Sequence, residues 1–178
     1  MKHLLVVISV FLLKSTDKPY CTCLPLTIEE KINGAEIIFE GKALTIDTIL
    51  SVQKTDIYND DGSKKEYLRP IEMTRTKFEV IKKIKGKEKS DFISIYSTLR
   101  CCMCGFTFWK NSTYIVYANS EYITVSTEKE ITWDQQKLSR LQLDTTKKFS
   151  TTTCTGTEEY NKKTFEEVIK IQKIKNSG

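Results

Sequence analysis

Six cysteines, placed in three groups, constrain this chain more than any other feature. Cys21 and Cys23 stand one residue apart near the start, Cys101, Cys102 and Cys104 cluster in the middle, and Cys154 lies toward the end. In an oxidising compartment such a distribution can staple the beginning of the chain to its middle and to its last third. Bridges closing loops of that length stabilise a fold by restricting the unfolded state. Six cysteines allow 15 pairings, and spacing alone leaves them open.

The compartment is readable upstream. Residues 1–13, MKHLLVVISVFLL, place Lys2 and His3 before an apolar run from Leu4 to Leu13. This is the pattern of a secretory signal peptide, and the run is too short for a membrane-spanning helix. We therefore expect a signal segment over residues 1–20 and a secreted protein, extracellular or periplasmic, with no transmembrane segment. Small residues favour cleavage after Ser15 or Thr16, whereas Tyr20 is a poor residue on which to end. Cleavage before Cys21 would remove Lys2, Lys14, Lys18 and Asp17, taking the net charge from +5 to +3. So small a charge does not call for a nucleic-acid partner.

His3 is the only histidine of the chain. Its removal with the signal segment excludes Ser–His and Cys–His nucleophilic sites and histidine-containing zinc sites. No paired-carboxylate motif stands out. The expectation is a protein that is not an enzyme and carries no cofactor.

Beyond the first cysteines, Leu26–Gly34 predicts a short helix, with Thr27 and Glu30 as a capping box and Gly34 as the stop. Ala35–Val52 is long, apolar and β-branched, and Gly41 marks a bulge or bend in it. Residues 54–70 are polar, a loop or the tip of a long hairpin around Asp61-Gly62. Strands are expected over Arg75–Ile84, Phe92–Thr98, Thr113–Ala118, Tyr122–Thr127 and Lys148–Cys154, with a helix inside Thr132–Leu143. The tail from Thr164 to Lys175 is helical by composition, its apolar residues spread over more than one face. Five or six short strands with a bent first strand and short helices predict a mainly β, disulfide-stapled barrel, of which an OB-like barrel is one kind.

Three runs are specific in combination: CTCLP from Cys21, CGFTFWKNSTYIVYA from Cys104, and TTCTGT around Cys154. With Phe39-Glu40-Gly41 and Lys83-Ile84-Lys85-Gly86 they resemble the netrin-like module, and within it the tissue inhibitors of metalloproteinases and their small bacterial relatives. The resemblance covers residues 21–157 and leaves residues 158–178 as a C-terminal helical tail. It implies an OB-like barrel of five to six strands with a disulfide-stapled N-terminal segment, Cys21 paired with Cys104 and Cys23 with Cys154. It also implies that the α-amine and carbonyl of Cys21 chelate the zinc of a metalloprotease. Thr22 would then enter the neighbouring pocket, and Leu24 and Pro25 would continue the contact. That chemistry requires Cys21 to be the N-terminus, because an amide nitrogen has no available lone pair. A further cysteine that the inhibitors carry soon after the second is absent here, where residues 31–35 read KINGA.

Other readings stand beside inhibition. The module can bind another extracellular or envelope protein, or serve a structural role in the envelope without inhibiting anything. Cys101 and Cys102, left unassigned, leave open free thiols, a bridge between them, pairing between chains, or with Cys104 a thiolate metal or redox site. The run Lys82–Lys89 is a candidate for a polyanion or anionic surface, or a solvated turn. Phe106, Phe108 and Trp109 suit packing better than base stacking. Asn111-Ser112-Thr113 is a glycosylation sequon.

Overall fold

The computed structural model describes residues 23–99, 104–126 and 132–176. Strand outweighs helix by 53% to 21%, so the chain is mainly β. Among the described residues there are six strands: β1 (Ile37–Tyr58), β2 (Lys64–Lys85), β3 (Phe92–Thr98), β4 (Thr113–Ser126), β5 (Leu143–Ser150) and the short β6 (Glu158–Glu159). Three α-helices accompany them among the described residues: α1 (Ile28–Gly34), α2 (Gln135–Arg140) and α3 (Lys162–Asn176). Five strands follow one another in the order β1-β2-β3-β5-β4, and β4 returns to β1, closing a ring. β6 stays outside it, paired with the start of β4.

The ring closes where the start of β1, from Ile37 to Lys42, pairs with the start of β4, from Thr113 to Ala118, and there side chains of both strands are buried on both faces. Side chains alternate across a strand. Ile37 and Phe39 therefore point into one cluster with Tyr114, Val116 and Ala118, while Ile38 points into another with Ile115 and Tyr117. The first cluster fills the ring around Phe78, whose ring meets Phe108 edge-on at 4.9 Å; Phe108 in turn meets Tyr114 at 5.0 Å. Such geometry suits the aromatic quadrupole. The Tyr114 hydroxyl is satisfied by the Trp109 backbone N–H, which donates to it at 2.8 Å. The second cluster lies outside the ring under Ile32 of α1 and Phe165 and Val168 of α3.

Gly41 bends β1 as its position suggests. The pairing with β2 shifts register between Glu40 and Gly41. A side chain there would meet the Phe39 ring at 2.7 Å.

Of the two forms expected for the polar segment 54–70, the structure has the hairpin tip, with β1 paired to β2 as far as Tyr58 and Lys64. Gly62 takes a positive φ in its turn, and the Asn59 N–H donates to the Ser63 carbonyl at 2.9 Å. α2 underlies the hairpin with Leu138 among Leu50 and Val52. Gln135 satisfies the outer edge of β2, accepting from the Leu68 N–H and donating to its carbonyl, both at 2.9 Å. Tertiary packing thus extends strands that composition alone cuts short. Thr113–Ala118 and Tyr122–Thr127 form one continuous strand as far as Ser126, and the strand expected at Lys148–Cys154 runs earlier, over Leu143–Ser150. Gly34 is the last residue of α1 and not its stop; Ala35 caps it in extended backbone. The helical tail packs on α1 and on the ring.

Phe78 is fully buried and touches Phe39, Phe108 and Tyr114. Phe78→Ala should cost about 3–5 kcal/mol of stability, the usual range for emptying such a site. A urea melt of the oxidised protein checks this, and a loss below 1.5 kcal/mol would contradict the central place given to this ring.

Candidate functional site

Of the N-terminal ridge that the resemblance implies, Cys21-Thr22-Cys23 continued by Leu24 and Pro25, the described residues begin at Cys23, and both ends of the segment 23–27 are held. At the far end, Thr27 caps α1. Its N–H and hydroxyl donate to one oxygen of Glu30 at 2.8 and 2.9 Å, and the Glu30 N–H donates back to the hydroxyl at 3.2 Å. The backbone bond, then the hydroxyl bond, holds the Glu30 carboxyl below the usual carboxylate range. This box fixes the direction in which the chain leaves the helix.

At the near end, Cys23 and Cys154 form a disulfide across a sequence separation of 131 residues. Cys154 sits in one turn of 3-10 helix, Thr153–Thr155, that threonines hold in place. The Thr152 hydroxyl accepts from the Cys154 N–H at 3.2 Å, and the Thr153 N–H donates to the Cys104 carbonyl at 2.8 Å. Behind the turn, the buried hydroxyls of Thr151 and Thr157 both donate to the Tyr117 carbonyl, at 2.9 and 3.0 Å. The bridge is therefore anchored to β4, in the buried part of the fold, and not to a loose loop.

Two glycines make room here. A side chain on Gly105 would fall 1.6 Å from the Thr98 carbonyl oxygen, so the segment carrying Cys104 can lie against β3 only as glycine. Gly156 takes a positive φ after the 3-10 turn, and a side chain on it would strike the Lys31 stem at 2.6 Å. Lys31 crosses that space to pair with Glu158 at 3.1 Å, joining α1 to β6 beside the disulfide. Spacing could not reveal this pair, because 127 residues separate its members. The glycine of the TTCTGT run was its only local signal.

The ridge itself is exposed. Leu24, next to the disulfide, shows 85% of its surface to solvent, and Pro25 is also exposed. A shallow cleft of about 310 Å³ lies between residues 23–26 and residues 153–158. A larger one of about 560 Å³ opens between Ser51–Lys54 of β1 and Glu121–Thr124 of β4. It contains none of the residues that the sequence singles out.

The sulfurs of Cys23, Cys104 and Cys154 lie within 4.8 Å of one another. They do not make a thiolate metal site: Cys23 and Cys154 are oxidised to a bridge and have no thiolate to give. Cys104 is also disulfide-bonded. Cys21, Thr22, Cys101 and Cys102 lie outside the described residues, and with them the implied Cys21–Cys104 pairing. Asn111 is exposed on the turn before β4, its backbone at a positive φ that asparagine tolerates and its N–H donating to the Ala43 carbonyl at 2.8 Å.

No protein-family model matches the chain, and no curated protein matches it.

Replacing Cys23 and Cys154 together by serine should lower stability by about 4–5 kcal/mol, as expected for a loop of this length. Denaturant unfolding without reductant measures this. Limited proteolysis of the double variant should also cut near Leu24, where the intact protein resists; equal resistance would show that the bridge is not what holds the ridge.

Proposed function

We propose that the chain is an exported protein-binding module whose docking element is the N-terminal ridge, and that its partner is a zinc metalloprotease. The observation that carries this reading is Leu24: an apolar side chain 85% exposed, immediately after a cysteine bridged to the body of the fold. Burying a leucine in water-excluding contact is favourable, and one held out on a rigid support offers that gain to a partner that covers it. A ridge held by a disulfide at one end and a capping box at the other loses little freedom on docking.

The chemistry toward zinc belongs to the residues just ahead of Cys23. In the inhibitors that the CTCLP run resembles, the first cysteine offers its α-amine and carbonyl to the protease's metal. Here that role falls to Cys21, with Thr22 in the adjoining pocket and Leu24 and Pro25 extending the contact. The amine must be free, so the activity depends on where the signal segment is cut.

The test compares oxidised protein beginning at Cys21 with the same protein carrying one alanine ahead of it, against a panel of zinc endopeptidases. The first should inhibit, the second should not, and Leu24→Ala should cost about 1–2 kcal/mol of binding, the usual loss for a contact residue. If the chain beginning at Cys21 leaves every protease fully active, the inhibitory reading fails. The remaining readings are then a module that binds another extracellular or envelope protein, or a structural or envelope-associated module without inhibitory activity.

A further inference from the structure

Lysines from two elements meet on one surface at the end of β2 and the C-terminal half of α3. The Lys82 ammonium lies 5.2 Å from the Phe165 ring of α3. Lys85 donates to the Ile32 carbonyl at 2.7 Å and to that of Ala35, at the end of α1. Lys175 reaches the side chain of Asn33, in the last turn of the same helix. Gln172 of α3 lines a cleft of about 820 Å³ together with residues Lys85–Glu88. Burial, and after it the charge of Lys175, holds the Lys85 ammonium below its ordinary value. Lys83, Lys87 and Lys89 on one side and Lys170 and Lys173 on the other are exposed.

Among the described residues, none of these lysines makes an ion pair, and the pairs present use other lysines and Arg75. The two carboxylates of the cleft are engaged by their own surroundings. Glu36 accepts from the Ser120 N–H at 3.1 Å and from its hydroxyl, and Glu88 accepts from the N–H groups of Lys89 and Ser90 at 3.0 and 3.1 Å.

The kind of anion follows from what accompanies the charge. The surface contains lysine and no arginine, hence point charges without the planar fork that recognises a defined sulfate or phosphate. Between Lys173 and Lys175, Ile174 shows 62% of its surface. The opposite side of α3 is taken up by Phe165 and Val168 in the outer cluster. An aliphatic side chain gains nothing from a hydrated polysaccharide, but it gains by entering the boundary between headgroups and acyl chains.

We propose that the end of β2 and the C-terminal half of α3 dock the protein on an anionic lipid surface, with the lysines over the headgroups and Ile174 in the interface. The attachment is peripheral: no described helix is long and apolar enough to cross a membrane. It is separate from the ridge and does not depend on the inhibitory reading.

Co-sedimentation of the purified oxidised chain with vesicles tests it. Vesicles of phosphatidylcholine containing phosphatidylglycerol should bind the protein and vesicles of phosphatidylcholine alone should not, with binding falling as salt rises. A lysine close to such a surface is worth about fivefold in affinity, so K87Q/K170Q/K173Q should lose about a hundredfold. Ile174→Ser should weaken binding while leaving its salt dependence unchanged. Circular dichroism and melting verify the fold of each variant, and K170Q and K173Q singly, at about fivefold each, replace the triple variant if it does not fold. Equal binding to both vesicles would overturn the proposal. So would binding that survives the lysine substitutions, as attachment through Leu4–Leu13 would, or salt-sensitive retention on a sulfated polysaccharide without vesicle binding.

Discussion

The burial of the paired starts of β1 and β4 on both faces is the constraint on which the remaining structure depends. A strand with one wet face needs only one layer of cover. Ile38, Ile115 and Tyr117 turn away from the ring interior and would stand in water if nothing lay over them. α1 and α3 provide that cover, and their placement follows from it. Because α1 must lie over the outer cluster, the chain that leads into it is brought to the same side of the ring. The position of the N-terminal ridge is thus a consequence of where two strands put their apolar side chains.

The ridge is held by two devices of different reach. The capping box at Thr27 is local, made by residues three apart, and it sets a direction. The disulfide joins residues 131 apart and sets a location. Neither would suffice alone. A cap without the bridge leaves Leu24 free to swing, and a bridge to a loose loop would move with the loop. The threonine hydroxyls behind Cys154 prevent the second, since they hydrogen-bond to β4 in the buried interior.

Charge is divided unevenly over the surface. At the far hairpin, Lys54 faces Glu66 and Lys64 faces Asp56 across the two strands, at 3.1 and 2.8 Å. Exposed pairs of this kind add little stability, but they leave little field. The lysines at the end of β2 and in the C-terminal half of α3 make no such pairs among the described residues, and their field extends into solvent. A net charge as modest as +5 therefore conceals a local concentration of positive charge.

The sequence by itself determined the strand-rich class, α1 with its capping box, the bend at Gly41 and the strand Phe92–Thr98, because each rests on short-range rules of periodicity, capping or backbone freedom. Leu24 and Pro25 entered as contact residues only through a resemblance; the structure shows both exposed after Cys23. Only the tertiary structure decided the rest. Which strands close the ring, how far β1 and β2 run together in the hairpin, and the fusion of two expected strands into β4 depend on what packs alongside them. Gln135 covering the edge at Leu68 is such a contact, made between residues far apart in the chain. The Lys31–Glu158 pair and the meeting of Lys85 with the end of α3 arise in the same way. Local pattern encodes the shape of a segment, and only the folded chain decides which segments become neighbours.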